Sequence, residues 1–347
     1  MLFERAKLMQ LLYHSLPNRK KHVLPGKKVV AVEQDDYGVE VACTDGSKYS
    51  GDILVGCDGA HSIARRLGMP GAPTAQPFES KFRCLFGVAK LVDGLEPCSL
   101  IETHDKDVMF QLLTSETQAF FLVYEAKGPE EADYKRYTQA DCEALARKYG
   151  AHAIGRGGRA IFSHLWETRD RADLFDLGEG IADKWHGGRV VLLGDAVHKV
   201  SVLAKRCFLN PTGKGGIVAD NSALKMTSNH AFGANCALED AASLTNGLRA
   251  LIQRNGSPSA LHYGDVFGQY QKERQGRAKL CMLFTGSYTR FATWQNWFYK
   301  FACLYLAPAI GDQFVADWCF SLIPKHGVKL DFVPEGQSKV GKVIYSM

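Results

Sequence analysis

The chain has 347 residues, 46% hydrophobic and 23% charged, with a formal net charge of +5. That length allows two domains or one large one, and the balance is that of an ordinary globular enzyme. The mild charge, with no dense basic stripe, excludes nucleic acid as the expected partner, and ten cysteines without CxxC spacing exclude a zinc site or a disulfide framework and point to a reducing, cytoplasmic compartment.

Residues 2–16 read as a helix, with Leu8, Leu11, Leu12 and Leu16 at helical spacing and Pro17 as its stop. The basic run 19–22 reads as a solvated loop. Residues 28–56 read as a β-meander with turns at Asp35-Asp36-Tyr37-Gly38 and Thr44-Asp45-Gly46-Ser47. Its last strand runs into Asp58-Gly59. A second layer of strands is expected over 82–92, 108–113 and 119–124. Phe110, Phe120 and Phe121 in it read first as core and second as pocket lining, with the Tyr124 hydroxyl a candidate for the pocket. Thr138 as N-cap and Asp141 in the first turn open a helix through Lys148.

Gly155-Arg156-Gly157-Gly158 follows no strand-like run and reads as a loop, not a phosphate-binding turn. Arg189 to Leu193 is a short apolar strand, covered on both faces, that ends abruptly in Gly194-Asp195. Ligands of open α/β sheets bind at such strand ends.

The segment 200–225 lacks helical or alternating periodicity and is an uncommonly long structureless stretch for a compact domain. It is expected to be an insert, a retained intron or gene-model error. Helices are expected over 233–253, with Leu238, Ala241, Ala242, Leu248 and Ile252 on one face that Leu244 and Leu251 widen, and over 263–290, with Tyr270, Arg274 and Arg277 on one face. The tail carries Trp294, Trp297, Phe298, Phe301, Phe314, Trp318 and Phe320. It reads as a helical cap or, alternatively, as a surface resting on an internal membrane. Its longest apolar stretch, 301–310, is too short to span a bilayer.

Two stretches carry a family resemblance. Asp58-Gly59 with Ser62 and Arg65, and Gly194-Asp195, resemble the DG and GD motifs of class A FAD-dependent monooxygenases. Residues 226–241 resemble that family's flavin-side helix start, departing from it at Ser228 and Ala231. Residues 162–169, with Leu165-Trp166-Glu167, are expected to be a strand by the same family resemblance. Along nearly the whole chain, the pattern is most similar to the fungal paxilline-pathway epoxidases of indole-diterpene and meroterpenoid biosynthesis.

The resemblance implies an α/β fold. A Rossmann-like, three-layer FAD-binding domain would span 1–75 and 155–290, a β-sheet substrate domain 76–154 and a C-terminal helical region 291–347. The family's opening GxGxxG strand and helix have no counterpart here, so the domain is expected to be N-terminally truncated. FAD would be held by Arg5, Asp58, Arg65, Gly194, Asp195, Gly233 and Ala234. Asp195 would meet the ribityl hydroxyls, Gly233 and Ala234 the flavin ring, and Asp58 and Arg65 the pyrophosphate region. NADPH would reduce FAD and O2 would be the co-substrate. A prenylated aromatic, pyrone or indole would be epoxidised at its terminal double bond, and a separate terpene cyclase would open the product. No metal and no dedicated acid–base pair are expected. Two alternatives stay open: an aromatic-ring hydroxylase with the same cofactor cycle, and a remnant that packs without binding FAD.

Overall fold

The computed structural model describes residues 5–69, 71, 78–131, 135–200, 232–254, 258–310 and 327–334. The first part holds α1 (Arg5–Ser15), α2 (Arg19–His22), β1 (Val29–Gln34), β2 (Val39–Cys43), β3 (Lys48–Gly51), β4 (Leu54–Gly56) and α3 (Ile63–Gly68). Next come β5 (Glu79–Lys90), β6 (Leu100–Asp105), β7 (Val108–Thr114), β8 (Gln118–Ala126), α4 (Gln139–Tyr149), β9 (Ala153–Ile154), β10 (Ala160–Ile161), α5 (Phe162–Glu167) and β11 (Arg169–Ile181). The remainder holds β12 (His186–Gly187), β13 (Val190–Leu192), β14 (His198–Val200), α6 (Phe232–Arg254), α7 (Ala260–Ala292), α8 (Trp297–Phe301) and α9 (Ala307–Ile310).

The meander is β1-β2-β3, antiparallel throughout. Asp35 Oδ1 accepts from the Tyr37 and Gly38 amides at 2.8 Å each, which closes its first turn. The strand expected to complete it does not stay in it. β4 leaves and pairs in parallel with β13, Leu54 opposite Val190, Val55 opposite Val191 and Gly56 opposite Leu192. Arg189, itself buried, bridges the two layers. Its guanidinium donates to the carbonyls of Asp35, Asp36 and Asp52. Three carbonyls at the ends of two turns are satisfied by one fixed cation.

The second layer is a six-stranded sheet in the order β14-β11-β5-β8-β7-β6. It extends past residue 154 through β11, which pairs along β5. One face carries Phe110, Phe121, Leu85 and Val123 and packs on Leu145, Phe162, Leu165 and Trp166. The other carries Phe82, Cys84, Met109, Leu122, Tyr124 and Leu177 and packs on Ala292. Gly87 lies opposite Phe121, and a Cβ there would come within 2.1 Å of the Phe121 ring. The glycine is the space the aromatic ring lies in.

The strand expected over 162–169 is instead α5, followed by β11. Phe162, Leu165 and Trp166 are its buried residues, a helical i, i+3, i+4 set. The expected capping box is present: Thr138 accepts from the Asp141 amide and Asp141 from the Thr138 amide. Phe110 and Phe121 are core. Tyr124 is fully buried, and its hydroxyl donates to Gln111 Oε1 at 3.4 Å.

In α6 the expected apolar face is split between core and solvent. Leu238 is 59% and Ile252 57% exposed, whereas Leu244 is 3% exposed, and Cys236, Asp240 and Leu251 are buried with it. α7 and β13 set that choice: Leu244 and Leu251 share a core with Val191, Leu192, Tyr263, Phe267 and Tyr270. Val200 ends β14, and the rest of the expected insert, with Phe314, Trp318 and Phe320, lies outside the described residues. No helix among the described residues is long and apolar enough to cross a membrane.

Candidate cofactor site

The parallel pairing of β4 with β13 puts two aspartate-bearing turns side by side at the carboxyl ends of neighbouring strands. Gly56 makes the approach feasible. A Cβ there would sit 2.6 Å from both Ala64 Cβ and Leu192 Cδ2. The pairing is closed by the Leu193 amide donating to the Gly56 carbonyl at 3.0 Å.

In the first turn, Asp58 Oδ2 accepts from the amides of Ile63 at 2.6 Å and Ala64 at 3.0 Å. It therefore balances the positive end of α3, with Ser62 as N-cap accepting from the Arg65 amide at 2.9 Å. Asp58 Oδ1 is buried and has no hydrogen-bond partner among the described residues. Gly59 has φ 80°, a left-handed turn that leaves this backbone without a side chain.

In the second turn, Gly194 has φ 57°, and a Cβ there would lie 3.1 Å from Ala237 Cβ of α6. Asp195 is half-buried beside it. Arg65 joins the two turns. Its guanidinium is buried and donates to the carbonyls of Ala60, at 2.8 Å, and Ala196. Burial lowers its pKa, with Asp58 working in the opposite direction.

Behind the turns lies a charge cluster that sequence reasoning missed. Asp240 of α6 is fully buried. It accepts from the Gly194 amide at 3.0 Å, from Arg274 Nε at 2.8 Å and from His198 Nε2 at 2.5 Å. Burial pushes the Asp240 carboxyl up, but His198 and Arg274 outweigh it and hold the group below the usual 3.8. For His198 the balance is reversed: burial opposes the charge, Asp240 favours it, and the imidazole is held above its ordinary 6.5. Arg274 and Arg277 both reach Glu239, and the Tyr270 hydroxyl donates to the Leu192 carbonyl at 3.1 Å. One signal was available: Arg274 lies on the apolar face of a helix, and a buried arginine needs an acid opposite it.

The structure thus brings together Asp58, Arg65, Gly194 and Asp195. Gly233 is buried and Ala234 exposed in the first turn of α6. Gly233 precedes Ala237 by four positions, so it lies on the helix face that packs on Gly194. Arg5 heads α1, and its side chain lies outside the described residues. α1 leaves Leu11, Leu12 and Leu16 exposed.

Two bare glycine turns, an uncommitted buried carboxylate oxygen and the start of a long helix form a site for an extended ligand with hydroxyls and negative charge. That is the chemistry of a dinucleotide, bound at the strand ends of an α/β fold. Residues 2–204 match the FAD binding domain family, and the chain belongs to it.

Its relatives are fungal. It is 29% identical to the FAD-dependent monooxygenase penE of Penicillium thymicola over 99% of this chain and 69% of that one. It is 32% identical to the FAD-dependent monooxygenase ausM of Penicillium brasilianum over 80% of this chain and 55% of that one. With BOA8 of Botryotinia fuckeliana, another FAD-dependent monooxygenase, the match is 29% and spans 38% of that protein. The chain therefore covers from about a third to about two thirds of the curated relatives it matches. Among solved structures, it shares its fold with a single-residue variant of Klebsiella pneumoniae HpxO complexed with FAD, at a TM-score of 0.61, 19% identity and coverage of 92% and 69%. It also shares its fold with a salicylate hydroxylase substrate complex, at a TM-score of 0.60, 17% identity and coverage of 90% and 72%.

The residues present fit FAD. Asp58 Oδ1 is a buried acceptor with no donor from the described protein, and the turns at Gly59 and Gly194 carry no side chain.

Proposed function

We propose that this chain carries the flavin site of an FAD-dependent monooxygenase acting on an apolar, prenylated aromatic, pyrone or indole. The observation that carries the reading is the parallel β4–β13 pair, with its two aspartate turns locked to each other by Arg65. FAD, when bound, supplies the activation of O2 and the transfer of one oxygen atom to the substrate, with NADPH as reductant.

The protein's part is binding and positioning. Asp58 Oδ1 would accept from a cofactor hydroxyl or amine; a carboxylate repels phosphate, so the phosphates belong beside backbone amides instead. Asp195 would accept from the ribityl hydroxyls. Gly233 and Ala234 bring the positive end of α6 toward the ring and favour negative charge there. Arg65, spent on two carbonyls, would act by holding the turns in register.

The substrate reading rests on one face of the large sheet. Phe86, Leu113, Phe120 and Phe175 are half-buried there, on the side away from α4 and α5. An apolar platform with few polar groups suits a prenyl chain, and epoxidation of its terminal double bond needs no acid–base pair from the protein. The exposed row Trp297, Phe298, Phe301 and Tyr305 supports a resting place on a membrane surface, from which an oily substrate would enter.

The test is the visible absorbance of the purified chain, followed by turnover with prenylated aromatics and NADPH. Flavin bands and an epoxide or its diol support the proposal. A new phenol would make the chain an aromatic hydroxylase. A protein that stays colourless after incubation with FAD would reject flavin binding by this chain.

A further inference from the structure

Away from the cofactor turns, three ionisable side chains meet where the edge of the large sheet touches the C-terminal helices. Cys303 Sγ lies 3.3 Å from His104 Nδ1. The other ring nitrogen, His104 Nε2, lies 3.5 Å from Glu102 Oε2. Glu102 is held in turn by Gln111 Nε2 at 2.7 Å and by the Tyr288 hydroxyl. The His104 ring stands edge-on to Tyr288 and Phe291, at 6.2 Å from each. The imidazole thus lies between a thiol hydrogen-bonded to one nitrogen and a carboxylate in charge contact with the other, without a well-formed hydrogen bond at Nε2. That is the order nucleophile, base, orienting acid.

We propose that Cys303 is a reactive thiolate, paired with the His104 imidazolium, and that it is the site where this chain takes up a small hydroperoxide. Several observations support the pairing. Burial works against a charged His104, but its contacts with Cys303 and Glu102 outweigh that and raise it to about 9. Burial likewise pushes the Cys303 thiol up, and His104 with Trp294 brings it below the ordinary 9.0. Lys300 also lies nearby, its ammonium 4.9 Å from the centre of the Trp294 ring.

Access and chemistry agree. Cys303 is half-exposed, whereas Cys84 and Cys142 are buried thiols whose pKa is pushed upward. Trp294 Nε1 is a buried N–H donor without a well-formed hydrogen bond, beside the sulfur. It is placed to meet an incoming oxygen.

The step balances as a two-electron oxidation. The thiolate attacks one peroxide oxygen, the S–O bond forms as the O–O bond breaks, and the leaving oxygen takes the proton from His104. With hydrogen peroxide the products are a sulfenic acid on Cys303, neutral His104 and water. The sulfur is oxidised and the peroxide reduced.

The experiment treats the full chain with hydrogen peroxide, traps sulfenic acid with dimedone and reads each cysteine peptide by mass spectrometry from pH 6 to 8. Exposed Cys98 is the internal reference. At pH 7 Cys303 should be trapped about tenfold faster than Cys98, because an ordinary thiol is only a few per cent ionised there. Its rate should rise less steeply with pH than that of Cys98. His104→Gln should bring Cys303 down to the Cys98 rate and leave Cys98 itself unchanged. Trapping of Cys303 no faster than Cys98, or with the same pH slope, would overturn the proposal even if the variant does not fold.

Discussion

At Asp240 three donors converge on one fully buried carboxylate: an amide of the Gly194 turn, the His198 ring and the Arg274 guanidinium. Removing one charge from such a cluster strands the others in a low-dielectric site. Asp240→Asn should therefore lower unfolding stability by about 3 kcal/mol, measured by urea titration. The pH dependence follows from the two shifts. His198 is raised above 6.5 in the folded chain, so its contribution is complete below 6.5 and is lost as pH rises through the folded value. Asp240 is depressed below 3.8, so its contribution is complete above 3.8 and is lost as pH falls through the folded value. The pair stabilises most between these limits, and Asp240→Asn should flatten both shoulders of the stability profile.

Gly194 is the second residue with a sharp expectation. At φ 57° a side chain is strained, and its Cβ would press on Ala237 at 3.1 Å. Gly194→Ala should cost about 1–2 kcal/mol and weaken FAD binding in a flavin fluorescence titration. Unchanged affinity would mean that this turn does not touch the cofactor.

Among the elements, α6 shows how neighbours override pattern. The expected stripe is wide enough to hold Leu238, Leu244, Leu251 and Ile252, and only its Leu244–Leu251 side is buried, because α7 and β13 present Phe267, Tyr270 and Val191 to it. Leu244→Ala should therefore cost about 2–5 kcal/mol. Ile252→Lys should stay within about 0.5 kcal/mol, both read from denaturant midpoints. The exposed C-terminal row gives a separate expectation. With Trp297 at 80% exposure, vesicles of anionic lipid should shift its emission to the blue, and Trp297→Ser should abolish the shift. An unshifted spectrum would remove the membrane from the proposal.

α5 was expected as a strand, and β11 was not anticipated at all. The run Phe162-Ser-His-Leu-Trp-Glu is short enough for its apolar residues to pass as strand. Its burial at i, i+3 and i+4 becomes visible only once the sheet surface with Phe110 and Phe121 lies beneath it. β11 opens Arg-Asp-Arg-Ala-Asp, too polar to read as a central strand, yet it pairs with β5 along most of its length. The polar positions are tolerated because they meet partners, as Asp176 meets Lys127 and Tyr137.

For the whole molecule the decisive quantity is the coupling of folding to FAD. A ligand that binds only the folded chain stabilises it by about 2.7 kcal/mol at one hundred times its Kd. Saturating FAD should thus raise the melting temperature by several degrees, and Gly194→Ala should reduce that rise. A melting curve indifferent to FAD would separate a folded chain from a flavin-binding one.

The two turns were legible in the sequence as short apolar strands running into Asp58-Gly59 and Gly194-Asp195, and their reading as a cofactor site came from the family resemblance. Asp58, Ser62, Arg65, Gly194 and Asp195 stand at the expected turns. The alternation of 82–92, 108–113 and 119–124 predicted strands that form, and the Thr138–Asp141 box predicted a helix start that forms, since both are local signals. Only the tertiary structure decided that β4 leaves the meander to run parallel to β13. Only it decided that Arg65 spends its charge on two carbonyls, that Asp240, His198 and Arg274 share one buried site, and which stripe of α6 faces inward. Each of these joins residues far apart in the chain. Their energies depend on desolvation and on the surface opposite, quantities that no stretch of sequence contains by itself.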